Sequence, residues 1–382
     1  MANPQYIEIK SQEEGEIKKT LEKKNDSEAK RMLRFIGFPD LSRDRNSPIF
    51  ELVQRIKNIK YFSDFDEVKA PEIVRADVSF DLFNFPKDHP VRSSSDTYYA
   101  NDNHILRTHT TIMWYYHLNN EIVKEKIKNK LAVGALSFGK VYRKDEIDRN
   151  HMNVFHQMDG WYLTPKSEKI ITIDDLKAVL TEIAQAIYGK NIKFRFNIDK
   201  FPYTDPSVEM EIEVEGRWVE VLGSGIVSPI VLKNLGVNPE EYNGWAFGFG
   251  LERLAIISMS LPDIRLLWSD DPRIKKQLVL GNKYVVVSKF PPITRDISFV
   301  VNSDFVPNNY FDLIRDIGGD LVEEVKLIDK YENSEKFGDN KISYTYRIIY
   351  RSNDRTLLSS EVDKIQKEIY EETAKQFNAE LR

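Results

Sequence analysis

The sequence of 382 residues has no cysteine, which excludes disulfides, thiolate zinc sites and a cysteine nucleophile and suits a reducing compartment. It also lacks any apolar run near the ~20 residues needed to cross a bilayer. Its opening stretch, MANPQYIEIKSQEEGEIKK, has neither the apolar core of a secretory signal nor the acid-poor, Arg- and Ser-rich make-up of a transit peptide. A cytoplasmic location is the expectation, with a mature form in the mitochondrial matrix or a plastid as the alternative. Positive charge is not in excess: 55 Lys and Arg stand against 60 Asp and Glu, a net charge of −5. A surface that tracks nucleic acid throughout needs clustered cations, so any such contact is confined to a local groove. Walker A and G-x-G-x-x-G sequences are missing too. A nucleotide would therefore lie on a sheet and not on a phosphate loop.

What is present reads as two folded parts behind a polar lead. Residues 1–45 are rich in Lys and Glu and predict a charged helix or arm, anchored by Ile17, Leu21, Met32, Leu33 and Ile36. Apolar residues recur at helical spacing from Ser47 to Asn58, and further helices are expected at Ile173–Tyr188 and Gly250–Met259. Val208–Val214 alternates strictly, and Trp218–Leu222 returns after a Glu-Gly-Arg turn, which predicts a hairpin. A second unit begins at Lys283. It reads strand (Ile297–Val301), helix (Asn309–Ile317), strand (Val322–Tyr331), strand (Ser343–Tyr350) and helix (Ser360–Phe377), with Ser360 and Asp363 at capping-box spacing. That βαββα order suits a ferredoxin-like sandwich.

Four constellations carry possible chemistry. In residues 139–160, GKVYRKDEIDRNHMNVFHQMDG, a strand ends in Arg143, a charged turn follows, and a second strand returns with Phe155 and Gln157. Arg143 suits a bidentate grip on phosphate or carboxylate, and Phe155 suits stacking on a base. The plain alternative is a hairpin with a solvated loop. Glu209, Glu211 and Glu213 share one face of the second hairpin with Glu220 on the adjoining strand. They suit hydrated Mg²⁺ beside a nucleotide, or simply the wet face of a sheet. In GWAFGFGLERLA, residues 244–255, alternating glycines let a strand approach a ligand closely before Arg253 opens a helix. FPYTDPS, residues 201–207, is either turn packing or the wall of an aromatic pocket.

These four pieces, in this order, resemble the class II aminoacyl-tRNA synthetases, and their wording is similar to the phenylalanine-specific branch. VYRKDEID…FHQMDG resembles motif 2, GWAFGFGLERLA motif 3, and FPYTDPS the phenylalanine pocket. His89-Pro90-Val91-Arg92 with Asp96-Thr97-Tyr98, LRTHT at 106–110 and PDIRLLWSDDPR at 262–273 are further family words. PPITRDISF at 291–299 with GGDLV at 318–322 resembles the ferredoxin-fold anticodon-binding domain. A catalytic and an anticodon-binding domain on one chain is similar to the mitochondrial single-chain enzymes, which act as monomers without a β subunit.

The resemblance implies an α+β protein: a class II antiparallel sheet with flanking helices over 46–282 and a C-terminal ferredoxin-like α/β sandwich over 283–382. It implies a ligase that activates L-phenylalanine with ATP and Mg²⁺ and transfers it to the terminal adenosine of tRNA(Phe). Arg143 and Arg253 are then catalytic. ATP is bound by Arg143, Asn150, His151, Met152, Phe155, Glu220 and Arg253, with adenine between Phe155 and Arg253. The amino acid is bound by His109, Thr111, Trp114, Gln157, Asp159, Phe201, Tyr203, Ala246 and Phe247. Lys289, Arg295, Arg347 and Arg351 are the tRNA candidates, although residues 283–382 hold 15 Lys and Arg against 18 Asp and Glu. Metal ligands are left unassigned. Two departures from the family pattern touch the substrate ammonium: Trp114 stands where a Gln is usual, and Asp159 where a Glu is usual. They keep open a shifted aromatic specificity. A non-catalytic tRNA-binding paralogue is the remaining alternative.

Overall fold

A computed structural model describes residues 4–287 and 290–382. The chain divides into two compact units that interleave in sequence. The first comprises Met1–Arg143, Val154–Leu261 and Leu278–Lys283; the second comprises Lys144–Asn153, Pro262–Gln277 and Tyr284–Arg382.

In chain order the strands are β1 (Tyr6–Glu8), β2 (Asp66–Lys69), β3 (Ile73–Arg75), β4 (Tyr99–Asn101), β5 (His104–Leu106), β6 (Val133–Tyr142), β7 (Val154–Pro165), β8 (Phe194–Phe201), β9 (Thr204–Val214), β10 (Arg217–Val227) and β11 (Tyr242–Gly250) in the first unit. The second unit adds β12 (Ile293–Asn302), β13 (Val322–Glu332), β14 (Lys341–Tyr350) and β15 (Glu380–Leu381). The first unit is built on an eight-stranded sheet, ordered β1-β2-β6-β7-β11-β10-β9-β8. The expected antiparallel sheet covers β6 to β8, but β1 and β2 join in parallel, so the whole is mixed. The expected hairpin is the β9–β10 pair, in which Glu220 lies opposite Glu211.

Residues 4–45 are drawn into this unit. Helices form at Gln12–Lys23 and Ser27–Ile36, capped by Ser11 and Asp26, and they bury Ile17, Leu21, Met32 and Phe35. The helix Ile173–Tyr188 begins in a capping box made by Thr172 and Asp175, and its buried stripe runs Leu176, Val179, Leu180, Ile183, Ile187.

The two faces of the sheet differ because side chains alternate along each strand. On one face Trp245, Phe247 and Phe249 stack in a row, and Phe62 and Phe65 lie against it. On the other face Trp161 stacks on Trp114 at 5.1 Å within a core that includes Met113 and Ala246.

The second unit is a four-stranded antiparallel sheet ordered β13-β14-β12-β15 with helices Pro307–Gly318 and Ser359–Phe377. This is the expected ferredoxin-like order with one further strand at its end. Phe299, Tyr310, Tyr346, Ile348, Tyr350, Val362 and Ile369 fill its core. The expected capping box at Ser360 and Asp363 does not form: the helix starts at Ser359 with no side-chain cap, and Asp363 instead accepts from Arg295 at 2.8 Å. Ile147, from the turn between β6 and β7, is part of this core. Its carbonyl accepts from the Val325 amide at 3.1 Å, and Arg149 pairs with buried Glu323 at 2.6 Å.

Candidate active site on the sheet

Register places the candidates. Phe155, Gln157, Asp159 and Trp161 alternate on one face of β7, opposite Val141, Gly139, Ser137 and Ala135 of β6. On the other side they meet Gly250, Gly248 and Ala246 of β11. A side chain at Gly248 would reach within 2.5 Å of Asp159 Oδ1 and 3.2 Å of Gln157 Nε2, so only glycine leaves room for both.

Asp159 is fully buried, and the hydroxyls of Thr110 and Thr111 donate to its two oxygens, Thr111 at 2.9 Å. Burial pushes its carboxyl up to about 6, against the pull of those hydroxyls and of the nearby Arg143 charge. Around it stands a box of aromatic rings. His109 stacks on Phe85 at 5.8 Å and meets Phe83 edge-on at 5.9 Å, while Trp114 meets Phe83 at 5.4 Å and Tyr203 at 6.1 Å. Phe201 stacks on Tyr203 at 5.9 Å. Neither ring nitrogen of His109 makes a well-formed hydrogen bond, and the indole N–H of Trp114 and Oε1 of Gln157 are likewise buried without a partner. Burial, helped by the Arg143 charge, lowers His109 to about 3, so the ring is neutral. Burial and then the Asp159 carboxylate raise the Tyr203 phenol.

Arg143 directly follows β6 and donates from Nε to the Thr108 carbonyl at 3.0 Å. Its guanidinium lies 5.2 Å from the Phe155 ring centroid, so Arg143 and not Arg253 covers that ring here. Arg253 sits in the first turn of the helix Leu251–Met259 and donates to the Glu220 carbonyl at 3.3 Å. Burial raises the Glu220 carboxyl; Arg253 opposes this, and Glu209, Asp199 and Glu211 add to it.

Phe247 is misplaced in the sequence reading. It pairs with Gly160 and faces away from Asp159 and Ala246, in the row with Trp245 and Phe249, because neighbouring strand residues point to opposite faces. Asn150, His151 and Met152 lie on the turn 144–153, which folds with the second unit; His151 holds Asp148 at 2.9 Å there. Lys289 lies outside the described residues. The other tRNA candidates each hold a carboxylate at 2.8 Å: Arg295 with Asp363, Arg347 with Asp296, Arg351 with Glu323.

Sequence reasoning missed Thr110, Phe83, Phe85 and the pair His156–Glu252. Thr110 was within reach, since it adjoins His109 and Thr111 in one word. Phe83 and Phe85 sit in a turn that shows no periodicity. His156 and Glu252 flank assigned residues: the two Glu252 oxygens accept from the His156 backbone amide at 2.9 and 2.8 Å and its Nδ1 at 2.6 Å, and the Leu41 amide donates to Nε2 at 2.9 Å. The link ties the helix that carries Arg253 to the strand that carries Phe155.

Residues 36–278 match the family described as tRNA synthetases class II core domain (F), and residues 288–382 match the ferredoxin-fold anticodon binding domain. The chain is 38% identical to a chloroplastic/mitochondrial phenylalanine–tRNA ligase of Arabidopsis thaliana, across 84% of this chain and 73% of that one. It is 33% identical to the mitochondrial phenylalanine–tRNA ligase of Mus musculus, across 90% of this chain and 83% of that one. A phenylalanine–tRNA ligase alpha subunit of Persephonella marina is 35% identical over 242 residues, or 60% of this chain and 67% of that one.

Proposed function

The chain belongs to the single-chain phenylalanine–tRNA ligases of class II, and from that premise we propose how its residues divide the work. The observation that carries the reading is Asp159, a buried carboxylate between two threonine hydroxyls at the mouth of an aromatic box. The box takes the phenylalanine ring, with Phe201, Tyr203 and Trp114 as walls and Ala246 as floor. Asp159 takes the ammonium, with Gln157 and neutral His109 as neighbouring polar partners.

Arg143 binds the amino-acid carboxylate and the α-phosphate of ATP. Adenine replaces the Arg143 guanidinium over Phe155, and Arg253 covers its other face, a cation–π contact worth about 1 kcal/mol or more once desolvated. One carboxylate oxygen attacks the α-phosphorus as the bond to pyrophosphate breaks. The nucleophile is already ionised, so no side-chain base is needed. Rate comes from alignment and from charge stabilisation by the two arginines. The terminal adenosine of the tRNA then attacks the adenylate through its 2′-hydroxyl, and AMP leaves.

Mg²⁺ would come to the site with ATP, held largely by phosphate oxygens. Glu220 would hold it, with Glu211 opposite on the adjoining strand. Mg²⁺ bound there would neutralise part of the charge on the triphosphate. Residues 46–282 are read as the catalytic domain and 283–382 as the anticodon-binding domain, contacting tRNA through Arg295, Arg347 and Arg351. The enzyme is read as a monomer, checked by sedimentation. A cytoplasmic location is at odds with relatives named mitochondrial or chloroplastic; they favour the organellar alternative.

Phenylalanine-dependent exchange of pyrophosphate into ATP tests the reading, and the absence of exchange with every aromatic amino acid would overturn it. Trp114 favours one second reading. Its ring is stacked on Trp161 and offers no amide to the substrate, so a modified aromatic substrate is the competitor in that screen.

A further inference from the structure

We propose that the first unit carries a second anion site, distinct from the active site, for a small free dianion of the phosphate class. A cavity of about 480 Å³ opens at the ends of β1 and β2, and none of the residues assigned to the active site lines it. Six basic and four acidic side chains line it. Within the lining, Glu8 pairs with Lys69 at 2.7 Å and Glu14 with Lys18 at 3.1 Å. Glu72 pairs with Lys140 at 3.2 Å, and Asp40 with Arg43 at 3.5 Å. Every carboxylate is thereby matched to a cation, and two cations are left over: Lys10 and Arg107.

Arg107 is the stronger pointer. Its side chain is 97% buried by position in the core, at 3% residual exposure, yet it makes no ion pair. Its bonds go only to the neutral carbonyls of Lys140 at 2.7 Å, Ala70 at 2.8 Å and Pro71 at 3.4 Å, all from Nε and Nη1. Nη2 has no hydrogen-bond partner among the described residues. A guanidinium taken out of water without a counter-charge is costly, and an anion in the cavity would supply that charge together with a second hydrogen bond. Exposed Lys10 also lines the cavity. Two positive charges without an ion pair among the described residues, on one cavity, match a dianion. Ile9, Phe38 and Pro71 on the wall leave room for the carbon portion of a monoester.

The test is calorimetric titration of the full chain with inorganic phosphate at low salt. Lys10→Glu removes the outer charge at an exposed position. Gly15→Asp puts a carboxylate into the cavity at a site where an added Cβ meets nothing within 4 Å, and an acid in the first turns of a helix leaves the fold intact. Each variant is expected to weaken phosphate at least tenfold with an unchanged melting temperature, while Arg143→Ala leaves that binding as in the parent. Glycerol 2-phosphate is expected to compete with phosphate. No saturable binding, unchanged affinity in both cavity variants, loss of binding in Arg143→Ala, or displacement by tRNA but not by glycerol 2-phosphate would each overturn the proposal.

Discussion

On the working face of the large sheet, His109, Trp114 and Gln157 hold buried polar atoms without partners, and Asp159 carries a carboxyl raised by burial. In the C-terminal unit, Arg295, Arg347 and Arg351 each rest against a carboxylate. A buried polar group left unpaired costs about 1–3 kcal/mol, whereas an exposed ion pair, as at Arg295 and Arg347, is worth less than about 1 kcal/mol either way. The first region therefore stores free energy that a fitting substrate releases, and it gains specificity from the misfit of anything else. The second is near neutral before it binds, and it can only exchange one partner for another.

The comparison breaks most visibly at Arg143, whose guanidinium donates to the Thr108 carbonyl and lies 5.2 Å from the Phe155 ring centroid. Arg143→Ala is expected to lower pyrophosphate exchange on the order of 10³-fold with little change in melting temperature or tRNA affinity. Retained exchange would remove Arg143 from the phosphate grip.

Asp159 sharpens it. Asp159→Asn is expected to raise the phenylalanine KM roughly 10–100-fold, the worth of one charge-assisted bond. In the parent enzyme phenylalanine affinity should fall about tenfold per unit as pH drops below about 6, where the carboxyl takes up its proton. Stability runs the other way. The folded pKa lies above the ordinary 3.8, so the stabilising contribution is present below about pH 3.8 and is lost as pH rises through about 6. At pH 7 the ionised carboxylate is a burden, and Asp159→Asn should raise the melting temperature by a few degrees while it weakens the substrate. A lowered melting temperature would mean that Thr110 and Thr111 compensate the charge completely.

How far the sequence disclosed these two regions depends on the range of the contacts. The β9–β10 hairpin and the helix Ile173–Tyr188 were legible because period-two and period-3.6 patterns and a capping box are local. The ferredoxin order was legible for the same reason. The side on which Phe247 lies was also written in the chain: in GWAFGFG the small residues Ala246, Gly248 and Gly250 share one face and three aromatics the other. The joining of β1 and β2 to the sheet edge was not legible, nor was the burial of Ile147 in the C-terminal core, since both rest on partners more than 50 residues away.

Ile147 supplies an intermediate test. It is 5% exposed in the second unit, so Ile147→Ala is expected to destabilise that unit by about 2–4 kcal/mol, read as faster hydrogen exchange in 290–382. Unchanged exchange there would show that the Ile147 side chain adds nothing to that core.

The smallest effect falls at Arg347. Its guanidinium makes two 2.8 Å bonds to Asp296 across the β12–β14 pair, and both side chains are 45% exposed. Water and salt screen such a pair, so Arg347→Ala should change stability by less than about 1 kcal/mol and leave phenylalanine-dependent exchange untouched. A phosphate that displaces Asp296 must repel or outbid its carboxylate, which makes the net gain per contact modest. The tRNA KM is expected to rise only a few-fold, with the slope of log affinity against log salt reduced by about one. Asp296→Asn, which frees the arginine, should move the tRNA KM the opposite way. If neither variant shifts the salt slope, the paired arginines of this sandwich are structural, and its contact with tRNA is made elsewhere on the unit.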